Sequence, residues 1–367
     1  MSFSRRHLLA TAGAAAPLLL LAPSAAARPS PPDLATPDGW VAWFRAHRGG
    51  VGLFLDDGRG NRLVHRPHAA QPLASAIKVV HLLGYAVAVE RGELDPREQI
   101  RLGDWERYYV PLDGGAHPAA LRHLDIPTDD TGLHAADPDH RVALDDAVAA
   151  MIRFSDSAVP DLLRDRLGVR ALRRAAAAGG WPDPDLRSMC AEYLFLLPEH
   201  APPAHLPLPA RRARGFALER RYRDDPALRR RVLDRLLTTP LPSWDEQRAW
   251  GDRTMGAPAR PLAALHRATA TGAIPGAALA RTHLERPRAG ALPPGVDGIG
   301  YKGGSLPGVL TAGLTVRRAD GSTGSGALLA HGDITPEQLT TADPGGAVLV
   351  ALQDPAYRDR LAAALRG

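Results

Sequence analysis

The chain has 367 residues, of which 45% are hydrophobic and 23% are charged, as in a globular protein with a substantial core. Its formal net charge is only +5 and its aromatic content 5%, so the sequence shows no basic, aromatic-interleaved surface for nucleic acid. The single cysteine, Cys190, excludes an intramolecular disulfide and a cysteine-based zinc site, and we predict that it is buried as a small apolar residue.

The first 27 residues have the features of an export signal. Arg5 and Arg6 precede an uncharged, moderately apolar stretch that ends in three alanines at Ala27. Paired arginines before such a stretch are typical of a twin-arginine signal, whereas a spanning helix needs about 20 strongly apolar residues. We therefore predict cleavage near Ala27, an extracellular or periplasmic location, no stable membrane span after cleavage, and a Pro-rich leader over residues 28–38.

A short helix and a hairpin are predicted next. Trp40, Val41 and Phe44 recur with helical spacing. Residues 51–55 and 62–65 are β-like runs, and the segment DDGRGN between them is typical of a hairpin turn.

Residues 74–91 predict a helix that is buried on all sides, because apolar residues occupy every face and Gly92 follows as a stop. Ser75 and Lys78 lie at its start, where a spacing of three residues places both side chains on one face. A desolvated lysine can act as a base near neutral pH, and a helix N-terminus favours a developing anion. The commoner role of an isolated S-x-x-K is an N-cap serine with a lysine that extends to solvent, so this motif alone does not define a site.

Lysine occurs only twice in the chain, at Lys78 and Lys302, and every other residue among the 45 Lys and Arg is arginine. Arginine does not release its proton in proteins, so the two retained lysines are expected to perform chemistry that arginine cannot. The alternative is that both escaped a compositional bias by chance.

Residues 101–140 form a polar, loop-rich segment. Its His134, Asp137, Asp139 and His140 match no standard spacing of metal ligands, so we predict a solvated loop and no metal site.

Two helices are predicted over residues 144–154 and 158–167, joined by Ser155, Asp156 and Ser157 on a short exposed turn. The two hydroxyl groups could relay a proton or hold an amide. Taken alone, the turn also fits an ordinary N-cap of the second helix.

An inserted segment rich in Arg and Pro is predicted at about residues 198–250, with one charged helix over residues 216–237. Residues 211–235 contain ten Arg against four acidic residues. This excess could bind an anionic partner, but we favour a solvated helical face.

The clearest β pattern is residues 298–316, where Tyr301 and Lys302 precede Gly303 and Gly304. A strand without side-chain bulk at these glycines can lie directly against a ligand. A hairpin turn at residues 320–324, a strand-like run at 347–352 and a final helix at 355–365 complete the chain.

The three motifs stand in one order: S-x-x-K at Ser75, S-D-S at Ser155 and K-G-G at Lys302. They match the series S-x-x-K, S-D-N and K-T-G, and the mature chain resembles the superfamily of serine β-lactamases and D-alanyl-D-alanine peptidases, closest to the class A branch. The resemblance implies an α+β fold with a mostly antiparallel sheet flanked by helices, plus an all-helical lobe. It implies one two-lobed domain over residues 39–367, in which residues 39–73 and 290–367 form the α/β lobe and residues 74–289 the helical lobe.

The resemblance also implies roles for these residues. Ser75 would be the acylated nucleophile, Lys78 its proton acceptor, and Ser155 the donor to the leaving nitrogen, while Lys302 would supply positive potential. The backbone N–H groups of Ser75 and Ser305 would form the oxyanion hole, and Ser157, Gly303 and Gly304 would line the substrate site. No cofactor is implied, and the expected partner is a small acyl substrate.

Three departures from the family pattern affect these roles. Ser157 replaces an Asn that commonly holds the substrate amide. Gly303 replaces a Thr or Ser whose hydroxyl helps bind the substrate carboxylate, and Ser305 is the candidate to replace that hydroxyl. Glu192 lies near the position of the deacylating Glu of class A enzymes, but Leu196 stands where its companion Asn is expected.

Glu192 has two interpretations at this point. It could activate the deacylating water, with Asp183 and Asp185 as competing candidates, or it could be a loop carboxylate paired with an arginine.

The leading hypothesis is therefore an exported β-lactamase-like serine hydrolase that opens a β-lactam or a related acyl substrate. The alternatives are a D-alanyl-D-alanine carboxypeptidase or esterase, favoured by Gly303 and by Leu196, and a non-catalytic β-lactam-binding protein.

Overall fold

The computed structural model describes residues 30–290 and 292–366. The predicted export signal, residues 1–27, lies outside the described residues. The α-helices within the described ranges are α1 Pro37–Ala46, α2 Lys78–Glu90, α3 Leu102–Glu106, α4 Ala116–His123, α5 Leu144–Arg153, α6 Val159–Leu167, α7 Val169–Ala178, α8 Met189–Leu194, α9 Leu208–Asp224, α10 Pro226–Thr238, α11 Trp244–Gly251, α12 Ala259–Thr271, α13 Ala277–Glu285, α14 Pro336–Thr341, α15 Pro344–Gln353 and α16 Pro355–Arg366. The strands are β1 Val51–Asp56, β2 Arg62–His65, β3 Gln71–Pro72, β4 Gln99–Arg101, β5 Arg141–Ala143, β6 Gly256–Ala257, β7 Val296–Leu306, β8 Val309–Arg318 and β9 Thr323–His331.

The main sheet has five strands in the order β2-β1-β9-β8-β7, and each neighbouring pair is antiparallel. Both ends of the chain therefore contribute to one sheet, with β7 at one edge. The predicted hairpin over β1 and β2 is confirmed, as is the α+β fold class. The shorter strands form two separate two-stranded ladders, β3 with β6 and β4 with β5.

Helices cover both faces of the sheet. On one face α1, α15 and α16 pack over a core that includes Trp40, Trp43 and Phe44. On the other face α12 packs against β1, β8 and β9, and its core is continuous with that around α2. The division into two lobes at residues 74 and 289 stays a prediction.

The helix that begins near Ser75 is the most enclosed in this second core. Apolar side chains on its successive turns are buried against α5, α6, α7 and α13. Packing requires glycine at position 84, since a Cβ there would lie 2.3 Å from Leu172 Cδ2 of α7. The predicted helix is confirmed with one change: Ala74–Ile77 is a 3₁₀ turn, and the α-helix proper starts at Lys78.

Two sequence predictions about secondary structure were wrong. Residues 347–352, predicted as a strand, lie in α15, where Asp343 caps the first turn by accepting from Gly346 N and Pro344 occupies the first helical position. A short apolar run does not distinguish a buried strand from a buried helix, and these capping residues decide the outcome.

Residues 216–237, predicted as one helix, belong to two, α9 and α10. Asp225 ends the first and caps the second by accepting from Ala227 N and Leu228 N, and Pro226 follows it. The predicted helices on either side of Ser155 are confirmed as α5 and α6.

A search of the described helices for a membrane-crossing candidate finds none that combines sufficient length with sufficient apolarity.

Candidate active site

Ser75 and Lys78 are in direct contact at the start of α2. Lys78 Nζ donates to Ser75 Oγ at 2.8 Å, because the 3₁₀ turn brings the two side chains onto one side. Lys78 is fully buried, and this burial lowers its pKa to about 8, although the charges of Asp156, Asp113 and Asp161 oppose the shift. At neutral pH about one tenth of a lysine with this pKa is a free amine, so Lys78 can act as a base.

The turn between α5 and α6 supplies the other contacts of Lys78. Lys78 Nζ donates to the Ser155 carbonyl at 2.5 Å, to Ser157 Oγ at 3.1 Å and to Ser155 Oγ at 3.3 Å. Ser155 has a φ of +73°, a left-handed conformation that is costly for a side chain other than glycine, and such strain is often retained at functional sites.

This turn was predicted to be exposed, and that prediction was wrong for two of its three residues. Asp156 and Ser157 are buried, while Ser155 is partly exposed. The reason is that Asp156 points into the protein, where its carboxylate accepts hydrogen bonds from Ala158 N, Val159 N and the Trp105 indole.

Lys302 approaches the same turn from the sheet. It lies on β7, is buried, and donates to Ser155 Oγ at 2.9 Å and to the Gly303 carbonyl at 2.8 Å. Both lysines of the chain therefore converge on one hydroxyl. An oxygen that accepts from ammonium groups can direct its own proton toward a third group, as a proton donor to a leaving nitrogen must.

Gly304 allows the edge of the sheet to lie directly against the nucleophile. A Cβ at Gly304 would be 2.3 Å from Ser75 N and 2.9 Å from Ala74 Cβ, closer than any side chain permits. The backbone of Ser75 and the adjacent backbone of β7 thus form one wall, on which Ser305 follows with an exposed side chain. The oxyanion-hole role of the Ser75 and Ser305 N–H groups stays a prediction.

The presence of glycine at position 303 also has a steric explanation, which the sequence did not reveal. A Cβ there would lie 2.0 Å from the hydroxyl oxygen of Tyr301, so the tyrosine fills the space that a Thr or Ser side chain would need. The Tyr301 ring is held in place by the Arg288 guanidinium, 4.9 Å from the ring centroid, and by Gly345, where a Cβ would be 2.7 Å from it. The only sequence signal was the i, i+2 spacing of Tyr301 and Gly303 on one face of a strand.

Glu192 is buried and engaged by two arginines. Its carboxylate accepts from Arg187 Nη1 at 3.0 Å and from Arg211 Nε at 3.2 Å and Nη2 at 2.5 Å. The structure therefore shows the paired arrangement, one of the two interpretations of this residue. Arg211 belongs to α9, within the predicted insertion, so the insertion reaches the candidate site.

The competing acidic candidates are also paired. Asp185 accepts from Arg187 at 3.0 Å and from Arg212 at 3.1 Å, while Asp183 forms a 3.4 Å surface pair with Arg173. The arginine excess of the insertion is thus partly balanced by acidic residues elsewhere in the fold.

A small pocket opens beside Ser75. Its lining is almost wholly apolar and consists of Ala74, Ser75, Met189, Glu192, Tyr193, Trp250, Thr254, Met255 and Leu306. Its polar groups are engaged within the protein: Thr254 donates to the Gly251 carbonyl, and the Glu192 carbonyl accepts from the Trp250 indole. The wall beside the nucleophile therefore suits an apolar part of a ligand.

Of the four residues predicted to lie on a solvated loop, Asp137, Asp139 and His140 are exposed and His134 is partly exposed. Asp139 pairs with Arg101, and His134 lies 3.8 Å from Asp129. In residues 30–290 and 292–366, no group of three or more His, Cys, Asp or Glu side chains is arranged to hold a metal ion. Cys190 is buried, as predicted.

The chain is similar to known proteins in sequence and in fold. The sequence profile of the Beta-lactamase enzyme family matches residues 41–213, which include the Ser75 and Ser155 motifs. No curated protein sequence shows significant similarity to the chain.

Solved structures share the fold. A β-lactamase from Sphaerobacter thermophilus DSM 20745 is 20% identical, with a TM-score of 0.53 and coverage of 86% of this chain and 95% of that one. A β-lactamase from Chitinophaga pinensis DSM 2588 is 12% identical, with a TM-score of 0.52 and coverage of 88% and 98%. A class A β-lactamase representative from Bacteroides cellulosilyticus DSM 14838 is 13% identical, with a TM-score of 0.50 and coverage of 90% and 98%.

The fold is the one found in β-lactamases, and the contact between Ser75 and Lys78 lies within the residues that match the family profile. The chain is thus similar to the Beta-lactamase enzyme family over residues 41–213 and shares the β-lactamase fold.

Proposed function

We propose that this protein is exported and forms an acyl-enzyme on Ser75 with a β-lactam or a related acyl substrate. The observation that carries the proposal is the 2.8 Å contact between Ser75 Oγ and the buried Lys78 Nζ, whose pKa is lowered by burial to about 8. A serine hydroxyl is a weak nucleophile, and an adjacent base with a pKa near the working pH activates it.

The acylation step uses the groups already in contact. Unprotonated Lys78 takes the Ser75 proton while Oγ attacks the carbonyl carbon and the carbonyl oxygen becomes an oxyanion. The N–H groups of Ser75 and Ser305 would stabilise this charge, with Lys302 adding positive potential. Ser155 then passes its proton to the nitrogen as the C–N bond breaks and receives the proton that Lys78 took from Ser75, so Lys78 is again a free amine and the acyl group stays on Ser75.

Intact-mass measurement after incubation with benzylpenicillin or nitrocefin tests this proposal. We expect an adduct or hydrolysed product with the wild-type chain and neither with Ser75→Ala. Ser322→Ala, on the β8–β9 turn, is the matched control and should behave as wild type. Failure of several β-lactams to give adduct or product would remove the β-lactam substrate from the proposal.

A second candidate function is favoured by the environment of Glu192. Its carboxylate accepts hydrogen bonds from Arg187 and Arg211, so guanidinium donors occupy the oxygens that a deacylating water would have to contact. Slow deacylation is compatible with a D-alanyl-D-alanine carboxypeptidase, an esterase or a β-lactam-binding protein. A long-lived penicilloyl adduct, together with release of D-alanine from a D-alanyl-D-alanine peptide, would favour the carboxypeptidase.

Export is proposed from residues 1–27 alone. N-terminal sequencing of protein recovered outside the cytoplasm should find a first residue near Arg28. A secreted protein that starts at Met1 would contradict it.

A further inference from the structure

A buried charged cluster lies behind the Ser155 turn and is not used in the steps above. It consists of Glu106 of α3, His117 of α4 and Asp156 of the turn itself. The imidazole of His117 contacts Asp156 Oδ2 through Nδ1 at 2.7 Å and Glu106 Oε1 through Nε2 at 3.0 Å. His117 and Asp156 are fully buried and Glu106 is nearly so.

The contacts define the charge of the imidazole. A neutral imidazole has one N–H group, whereas each His117 nitrogen here faces a carboxylate oxygen, so both contacts are hydrogen bonds only in the imidazolium. Burial acts to lower the pKa of His117, but the hydrogen bonds and charges of Asp156 and Glu106 outweigh it and raise the pKa to about 10.

Two aromatic rings pack against the imidazole of this cluster. The Trp105 ring stands edge-on to the imidazole at 5.0 Å between centroids, and the Tyr109 ring is tilted against it at 4.3 Å. The other titratable groups near His117 are Asp113, which accepts from the His117 backbone N–H at 3.0 Å, and His134, which contacts Tyr109.

Asp156 connects the imidazolium to the reacting groups. One carboxylate oxygen accepts from His117, and the other accepts from Ala158 N at 2.9 Å, Val159 N at 3.0 Å and Trp105 Nε1 at 3.0 Å. These bonds fix the turn on which Ser155, in its left-handed conformation, directs its carbonyl at Lys78.

The same carboxylate acts on Lys78 through its charge. Asp156 is the largest electrostatic influence that favours the ammonium form of Lys78, opposing the effect of burial. A positive charge beside Asp156 offsets this influence, so that Lys78 can lose its proton more readily.

We propose that His117, as an imidazolium, is a positioning residue of the active site that holds the Ser155 turn through Asp156 and favours the unprotonated form of Lys78. The kinetic part of this inference rests on the proposed acylation of Ser75. A purely structural role would not require His117 to be charged and would not alter the titration of Lys78.

The charge of His117 is measured without reference to activity by NMR of protein labelled with ¹⁵N in histidine. We expect a doubly protonated ring from pH 6 to pH 9, because its pKa is about 10. His81 and His266 are internal references: both are fully buried, and burial lowers the pKa of each to about 3. A neutral His117 ring at pH 7 would overturn the proposal.

The link to Lys78 is measured by the pH dependence of the second-order acylation rate with nitrocefin. In His117→Gln, Lys78 should be protonated more readily, so the acid limb moves to higher pH and the rate at pH 7 falls by about tenfold. His123→Gln, which changes an exposed histidine on the same helix, should leave the profile unchanged.

Glu106→Gln is expected to shift the acid limb in the opposite direction to His117→Gln, and the Gln side chain has nearly the same shape as Glu. It removes negative charge near His117, so the acid limb should move to lower pH. A slower rate without a shift of the limb in either variant would show that the cluster is only structural. If the wild-type chain is acylated by no β-lactam, the β-lactam substrate is removed from the proposed function, while the NMR experiment still decides the charge of His117.

Discussion

The hydroxyl of Tyr301 occupies the space beside Gly303 that a threonine side chain would fill. A Cβ on Gly303 would lie 2.0 Å from that hydroxyl oxygen and 2.9 Å from the Thr311 carbonyl oxygen. The glycine at position 303 is therefore coupled to Tyr301, which lies two residues earlier on the same face of β7. Packing against Tyr301 explains why this chain has glycine where the K-T-G motif has Thr, so an isolated chance substitution at position 303 is not the explanation.

This coupling predicts that restoring the family residue destabilises the protein. Gly303→Thr should lower the free energy of unfolding by about 1–3 kcal/mol, because the new side chain overlaps the Tyr301 ring. Urea unfolding measures the change. Ser305→Thr, at the next exposed position on the same strand face, is the control and should stay within about 0.5 kcal/mol of wild type.

A double-mutant cycle separates this clash from a general intolerance of threonine on β7. The cost of Gly303→Thr should be smaller in a Tyr301→Ala background, since the overlapping atoms are then absent. Equal costs in both backgrounds would show that Tyr301 does not determine the residue at position 303.

The pH dependence of acylation follows from the pKa of Lys78. Burial lowers this pKa from 10.5 to about 8, and only the unprotonated amine can accept the Ser75 proton. The acylation rate should therefore rise with pH through a midpoint near pH 8. Stopped-flow measurements with nitrocefin test it, and a rate that is constant from pH 6 to pH 9 would contradict the role of Lys78 as base.

Substitution of the two lysines by arginine distinguishes their roles. Lys78→Arg keeps the positive charge but provides no base at these pH values, so acylation should fall by about 10²–10⁴-fold. Lys302→Arg also keeps the charge and should preserve the midpoint near pH 8, although its rate is reduced by the changed contact with Ser155. Equal and small effects of the two substitutions on the acylation rate would contradict the role of Lys78 as the base.

Local sequence patterns were sufficient to predict the order of the motifs and the elements that carry them. The three-residue spacing of Ser75 and Lys78 places both on one helical face, and the helices around Ser155 follow from their apolar periodicity. These are short-range relations, and burial of apolar side chains favours the same local structure that the pattern predicts.

The partners of the buried charges could not be predicted in this way. Glu192 pairs with Arg211, which lies on a separate helix, and His117 meets Asp156 across a separation of 39 residues. No periodicity relates such positions, because their contacts arise only when α4, α8 and α9 pack in the folded chain. The prediction of an exposed turn was wrong for Asp156 and Ser157 for a related reason, since Trp105 and His117, which also bond the Asp156 carboxylate, lie on distant elements.

Glu192 is expected to be more important for stability than for deacylation. Glu192→Gln leaves Arg187 and Arg211 buried with one fewer carboxylate, and breaking a buried pair costs about 3–5 kcal/mol. Urea unfolding should detect this loss, while the lifetime of the penicilloyl adduct should change by less than about threefold. Asp183→Asn, which alters an exposed acidic residue nearby, is the control and should change neither quantity.

The opposite result for Glu192 is equally informative. A stable Glu192→Gln protein whose adduct persists at least about tenfold longer would identify Glu192 as the base of deacylation. The paired arrangement would then have to open during turnover, and the carboxypeptidase alternative would lose its main support.

Gly304 provides the most direct test that β7 is part of the site. In Gly304→Ala the new Cβ would be 2.3 Å from Ser75 N, so either the strand or the 3₁₀ turn must move. A displacement of about 1 Å at the reacting atoms can reduce the rate by about 10²-fold, and we expect a loss of acylation of this size with nitrocefin. Thermal unfolding of the same sample shows whether the fold is retained. Gly290→Ala is the matched control, because a Cβ there meets no atom within 4 Å, and it should acylate as wild type does. A Gly304→Ala protein that is folded and fully active would show that the backbone of β7 does not position the nucleophile.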